Sequence, residues 1–313
     1  SRGDIDPNNI TPTLTNARAT AANPHEGDPS LDWTTQFPAT TNTLALTHVY
    51  TYKVGYSRNF VPSFVWQNER FKLDGNLFSA NSTSRYDSGK KGQVSGLMNT
   101  LTARGNYSAS RSNWMTQDWQ VQQIDGIDWA SPDAFTLGSY AGALGASTRP
   151  SIRTTSGSSA ELEYRGGSLN FESYQDIGNV PVTWKTGLKA TDAGYEFGNT
   201  SDANIWTYNG PLSNAEFLRA VQSRNVWHGG ESGMDIRTLS GGDVYLYSLA
   251  RIHQMMQANP EQWIRSETPA QWYNAHIANV NELDERITSL YFMGTADFTE
   301  RLKGQAGLRW ERT

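Results

Sequence analysis

Side chains alternate with a period of two residues on both sides of a three-residue polar break near the end of this chain. Leu290, Phe292, Gly294, Ala296 and Phe298 form one set, and Tyr291, Met293, Thr295 and Asp297 the other. After Thr299-Glu300-Arg301 the pattern resumes, with Leu302, Gly304, Ala306, Leu308 and Trp310 against Lys303, Gln305, Gly307, Arg309 and Glu311. Period-two patterning across a tight polar turn specifies two antiparallel strands in a hairpin. A chain with this ending is built at least in part from sheet.

The apolar set intersperses Gly and Ala with large residues, while the polar set carries charges of both signs. A soluble sandwich would bury the apolar face beneath a second sheet. A transmembrane barrel would turn it to lipid, with strands of ~9–11 residues and a wet lumen behind them. The hairpin alone fits both. Hydrophobic residues make up 37% and charged residues 18% of the 313, against ~45–50% and ~25% in typical domains. Polar and aromatic residues fill the gap, including 11 Trp and 14 Tyr, which suit membrane interfaces and sugar-binding surfaces alike. A net charge of −5 without a basic run argues against nucleic acid. The lack of Cys excludes disulfides and thiolate metal sites. No apolar run approaches the length of a transmembrane helix, which says nothing about strands. The chain starts Ser-Arg-Gly-Asp and stops one residue past a strand, so it reads as a fragment cut at both ends.

In chain order, residues 1–43 read as loop. Leu44–Trp66 is dense in β-branched and aromatic residues and is interrupted by Pro62, which predicts strand, break, strand. The run Trp66-Gln67-Asn68-Glu69-Arg70-Phe71-Lys72 echoes Phe298-Thr299-Glu300-Arg301-Leu302-Lys303, a second tight reversal. Gly96–Ser110 alternates, with Asn99 breaking the apolar set, and reads as one strand, with Trp119–Ile124 returning from it. Residues 125–157 read as a long loop, Ala160–Arg165 as strand, Gln175–Asn179 as a reversal, and Val180–Thr191 as strand. An insertion at 198–283 holds expected helices at Asn214–Ser223, capped by Ser213, and at Asp243–Gln257, then a turn from Pro260. Short reversals near 68–70, 111–117, 175–179 and 299–301 alternate with long connections at 86–95, 125–157 and 198–283. Up-and-down membrane barrels require this rhythm and Greek-key sandwiches do not. The expected fold is therefore all-β: part of an antiparallel transmembrane barrel of about eight strands over 44–313. Long extracellular loops would join its strands, one of them containing short helices.

Ser289-Leu290-Tyr291-Phe292-Met293-Gly294-Thr295-Ala296-Asp297-Phe298 and Gly307-Leu308-Arg309-Trp310-Glu311-Arg312-Thr313 resemble the mid-barrel hairpin of TonB-dependent outer-membrane receptors. Val182-Thr183-Trp184-Lys185-Thr186-Gly187-Leu188-Lys189 is similar to that family's strand ahead of a long external loop. The resemblance implies a 22-stranded barrel in the outer membrane of a Gram-negative cell, filled by an N-terminal plug. It implies import of a scarce nutrient of the siderophore, cobalamin or oligosaccharide class. The implied partners are outer-membrane lipid, the plug of the same full-length chain, the TonB inner-membrane complex, and the ligand. The chain departs from the family in lacking a recognisable plug, an energy-coupling box and a closing aromatic strand. The main alternative is a secreted all-β glycan-binding module, and a further one is a porin-like or adhesin barrel without a plug.

No catalytic constellation is present, so the expectation is a protein that is not an enzyme and takes no cofactor. The five histidines are scattered without metal-binding spacing. Glu161 and Glu163 share a strand face, which a barrel lumen explains without a glycosidase. Lumen-side charges Lys185, Lys189, Arg309 and Glu311, with Lys303 and Arg104, are candidates for contact with ligand or plug; the plainer reading is a hydrated wall. Trp206, Trp227 and His228 are candidate loop contacts to ligand. Trp263 and Trp272 read instead as a small core for the loop.

Overall fold

The structure is a computed structural model that describes residues 2–5, 8–14, 32–34, 43–110, 119–140, 147–155, 158–199, 204–223 and 234–313. It is mostly antiparallel β-sheet, with no closed barrel among the described residues. The dominant feature is an eight-stranded antiparallel sheet. Its strands are β1 (Arg2–Ile5), β2 (Lys53–Phe60), β3 (Ser63–Gln67), β4 (Phe71–Tyr86), β5 (Ser158–Ile177), β6 (Val180–Asn199), β7 (Asn281–Thr299) and β8 (Leu302–Arg312). The order is β1-β2-β4-β5-β6-β7-β8, and β3 extends the line of β2 along the same edge of β4.

The short reversals sit where side-chain chemistry closes them. Asn68 Oδ1 accepts from the backbone N–H of Arg70 and Phe71, both at 2.8 Å. Thr299 Oγ1 accepts from Arg301 at 3.2 Å and Leu302 at 3.0 Å. Between β5 and β6, Gly178 takes φ +64°, which glycine adopts without strain. Pro62 falls between β2 and β3, where the ladder needs no N–H from it, and its carbonyl accepts from Leu77 N at 3.0 Å.

The expected strand over Gly96–Ser110 is corrected: it breaks into Gly96–Leu97, Leu101–Arg104 and Tyr107–Ser110, none of them in the long sheet. Asn99 sits at the first break: its side chain donates to Gly138 O at 2.9 Å and accepts from Ser151 N at 2.7 Å, which ties the chain sideways to the strand Ser151–Arg153. At the second break Asn106 is bonded through its backbone N–H and its side chain to Asp125, both at 2.8 Å. Trp119–Gln123 does return antiparallel to Tyr107–Ser110, but within a smaller four-stranded sheet, where Met234–Arg237 joins it in parallel. A third sheet unites Asn8–Leu14, Thr43–Tyr50, Ser151–Arg153, Ile205–Tyr208 and Trp263–Arg265 with the segments at 96–104 and 135–137. So the expected loop at 1–43 contains three strands among its described residues. The expected reversal at 111–117 lies outside the described residues.

The two small sheets and three helices form a cap at the end of the long sheet away from the short turns. α1 (Asn214–Ala220) begins at Ser213, which forms a reciprocal capping box with Glu216. α2 (Leu249–Ala258) starts six residues later than expected, at the Ser248 cap. α3 (Pro269–Tyr273) follows Thr268 in a second capping box, which the sequence reading missed. The cap holds the main apolar core: Leu44, Leu46, Leu101, Tyr107, Trp129, Ile152, Tyr208, Phe217, Tyr245 and Ile252 are all essentially inaccessible. Arg149 fastens one corner, donating to the carbonyls of Gly210 at 2.8 Å, Leu212 at 2.9 Å and Tyr208 at 3.3 Å. Trp263 is core, as expected; Trp272 is not, being 41% exposed and stacked on His276 at 5.0 Å.

His48, 6% exposed beside the Tyr247 ring, gives the cap a pH dependence. Burial lowers its pKa from 6.5 to about 4, only partly offset by a backbone hydrogen bond with Tyr247. Between those values the unfolded chain binds a proton that the folded cap refuses, so stability is full above pH 6.5 and falls as the pH drops. Cap stability is expected to fall by about 2 kcal/mol from pH 7 to pH 5. His253, also lowered by burial, adds in the same direction. Urea titrations at the two pH values check this, and a His48→Leu variant should show most of the difference gone.

Candidate functional site

The long sheet has two chemically distinct faces. Register aligns Lys72, Glu172, Lys185 and Met293 in one cross-strand row on the first face. The next row is Asp74, Asn170, Gly187, Tyr291 and Arg309; the one after is Asn76, Ser168, Lys189, Ser289 and Glu311. Four of the expected site residues, Lys185, Lys189, Arg309 and Glu311, thus share one face within three consecutive rows. Arg104 does not join them, since it lies in the cap.

Hydrogen bonds link these rows into a ladder. Lys185 Nζ donates to Glu172 Oε1 at 2.9 Å, and Tyr174 donates to Glu172 Oε2 at 3.0 Å. Lys72 stands between Glu172 at 3.5 Å and Asp74 at 3.7 Å. Asn170 donates to Asp74 at 2.8 Å and accepts from the Tyr291 hydroxyl at 3.1 Å. Glycine at 187 leaves room for that hydrogen bond, because a Cβ there would lie 2.4 Å from Asn170 Oδ1 and 2.5 Å from Tyr291 Cε1 and would push both side chains aside. Arg309 pairs with Glu311 on the edge strand. Lys189 is exposed and has no ion-pair partner among the described residues. Glu172, with its side chain 13% exposed, is the most enclosed charge of the ladder's ion pairs. Sequence reading missed it. The clue was arithmetic: a two-residue reversal at 178–179 sets Glu172 opposite Lys185 and Arg165 opposite Asp192.

On the other face, rows near the short turns hold Leu73, Phe171, Thr186, Phe292 and Leu308, then Gly75, Leu169, Leu188, Leu290 and Trp310. Apart from Thr186 and Gly75 these are large apolar side chains, several of them without a protein cover: Leu188 is 51%, Phe292 53% and Leu308 83% exposed. Trp184 stacks on Phe292 at 5.4 Å, and its ring covers Gly294, where a Cβ would meet it at 2.6 Å. Beside them runs a groove of about 850 Å³ lined almost wholly by apolar residues; the two polar residues of its lining, Thr295 and Gln305, carry their side chains on the ladder face.

Both faces change character at one level. The apolar face ends at Gly167, Ala190 and Thr288, and the next row is Arg165, Asp192 and Arg286. Beyond it the same face carries Glu163 and Asp284, then Glu161, Glu196 and Glu282. Glu161 and Glu163 are therefore on the face opposite the Lys185 ladder, which corrects their expected lumen position; Asn81 donates to both, at 3.1 and 3.5 Å. Conversely, the ladder face turns apolar toward the cap, with Leu162, Tyr164, Tyr195, Phe197 and Leu283, and Phe78 stacks on Tyr164 at 5.0 Å.

Trp206 stands apart from the ladder. Its strand pairs with Ser151–Arg153 and Trp263–Arg265, and its ring packs partly buried against the cap core. Trp227 and His228 lie outside the described residues. Among the described residues there is no group of three potential metal ligands, and no helix is long and apolar enough to cross a membrane. Among the described residues the arrangement thus offers a charged, hydrogen-bonded surface and an uncovered apolar one. Compared with known proteins, the chain matches no family model, no curated protein and no solved structure.

Proposed function

We propose that this chain forms part of the wall of a TonB-dependent transporter in the outer membrane of a Gram-negative cell. In this reading the apolar face of the long sheet meets lipid, the Lys185 ladder faces a wet lumen, and the cap is extracellular. The observation that carries it is the uncovered apolar face, bounded on one side by short turns and on the other by the Arg165–Asp192–Arg286 row. Along β6 this band runs from Val180 to Ala190, about 33 Å of strand. At a barrel tilt of ~35–45° that spans the ~25 Å apolar belt of outer-membrane barrels. Trp66, Phe71 and Phe298 adjoin the short turns at 68–70 and 299–301, where an interface belt would lie.

The rest of such a barrel would close the two edges of the sheet, since unpaired backbone is not tolerated in hydrocarbon. Substrate, a scarce nutrient of the siderophore, cobalamin or oligosaccharide class, would be met at the cap and pass along the ladder. Lys185, Lys189, Arg309 and Glu311 would contact the substrate or a plug in the lumen, and energy would come from the TonB complex. A glycan-binding module gains no support from the apolar groove, because sugar recognition requires polar partners beside aromatic rings and this lining supplies almost none.

The test is tryptophan quenching by lipids brominated in their acyl chains, with the intact protein reconstituted in vesicles. Trp184 and Trp310 on the apolar face should be quenched strongly. Fluorescence indifferent to brominated lipid, in protein that stays in solution without detergent, would sink the membrane reading.

A further inference from the structure

We propose that the Arg165–Asp192–Arg286 row seats the phosphate of an anionic membrane lipid, an inference that rests on the membrane reading above. Asp192 accepts from Arg286 Nε at 2.5 Å and Nη2 at 3.4 Å, while Arg165 Nε lies 3.9 Å from its second oxygen. One carboxylate therefore holds guanidiniums from β5 and β7 on either side of β6. The arginine side chains remain 67% and 75% exposed. The row carries a surplus positive charge, and each guanidinium keeps N–H donors in the fork geometry that suits phosphate oxygens. A recess of about 460 Å³ lies here, lined by the two arginines and by Asp192, Glu163, Asp284 and Glu285.

Position selects the occupant. Asp192 is two residues past Ala190, about 7 Å beyond the apolar band along the strand, where the headgroups of lipids covering that band must lie. Arg312, one row nearer the band across from Thr288, adds a third cation on the same face. On the far side the face is acidic, with Glu163, Asp284, Glu161, Glu196 and Glu282 in the next two rows. An anion arriving from water meets those carboxylates first. A lipid moving in the membrane plane meets the arginines directly while its chains lie on Leu188, Leu290 and Trp310. The ordering of apolar, basic and acidic rows thus favours a phospholipid over free phosphate.

The experiment uses the intact protein in phosphatidylcholine vesicles containing a minor fraction of acyl-brominated lipid, either phosphatidylglycerol or phosphatidylcholine. Trp310 lies across from Leu290, four residues down β7 from Arg286, so a chain hanging from the row passes its ring. Brominated phosphatidylglycerol should associate about fivefold more strongly at this site, the contribution of one arginine near a charged surface. The double variant R165Q/R286Q should lose that preference, and R165K/R286K should retain part of it. Equal quenching by the two brominated lipids in the unmodified protein overturns the proposal while leaving the membrane reading intact. Absence of quenching by either lipid defeats the membrane reading itself. A preference erased by excess inorganic phosphate would assign the row to free phosphate and overturn the lipid assignment.

Discussion

Leu308→Arg is expected to lower the stability of the protein folded in a bilayer by about 2–4 kcal/mol, the cost of a charge near the midplane on a lipid-facing strand. The expectation is sharp because Leu308 is 83% exposed and has little packing to lose. At an exposed surface in water the same change should fall within about 0.5 kcal/mol. Leu308 is opposite Phe292, in the row of Thr186, near the middle of the apolar band. Gln305→Arg, on the opposite face of the same strand, serves as control and should change little. Urea titration in lipid vesicles, followed by tryptophan fluorescence, measures both. Equal, small effects at the two positions would mean that the apolar face is not in lipid.

Trp129→Ala should cost the cap about 3–5 kcal/mol, the usual range for emptying a buried aromatic site. Trp129 is completely inaccessible, and it is tied in by more than its ring. Its indole donates to Arg104 O at 3.2 Å, its backbone N–H to Gln123 Oε1 at 3.0 Å, and its carbonyl accepts from Tyr245 at 2.7 Å. Those contacts join the connection after β4 to the one between β6 and β7. The core around them also includes Leu44, Leu46 and Tyr50 from ahead of β2. Because the cap core is assembled from three separate stretches of chain, it should open as one cooperative unit. Hydrogen exchange should show faster exchange together at 43–50, 96–110 and 205–221, with β5 and β6 unchanged. Loosening confined to the neighbourhood of 125–135 would contradict that shared core.

The parts of the fold legible in the sequence are those fixed by local chemistry. Alternation at 180–191, 290–298 and 302–311, and the reversals at 68–70 and 299–301, follow from side-chain period and turn residues and have their place in the long sheet; the reversal expected over 175–179 narrows to the two residues 178–179. Which sheet a strand joins is not local information. Leu101, Ala103 and Tyr107 alternate as cleanly as Leu188 or Leu290, yet the first three are inaccessible in the cap and the others uncovered on the long sheet. What interrupted the run was Asn99, whose amide reaches Gly138 and the strand Ser151–Arg153, and Asn106, which is held by Asp125. The Lys185, Lys189, Arg309 and Glu311 group was visible because one alternating set carried all the charge. Glu172 was hidden because its meaning depends on the hairpin register, and the charged Arg165–Asp192–Arg286 row because it spans three strands.

That row also limits how the strands can slide. Moving β7 by two residues along β6 would preserve every inward and outward side-chain direction, so alternation alone does not forbid it. Such a slip would set Arg286 opposite Ala190 or Gly194 in place of Asp192, and Leu290 would part from Leu188. The guanidinium would lose its carboxylate in either direction. Asp192 therefore acts as an index mark on strands whose long, repetitive faces would otherwise admit several alignments, and it makes one of them distinguishable during assembly.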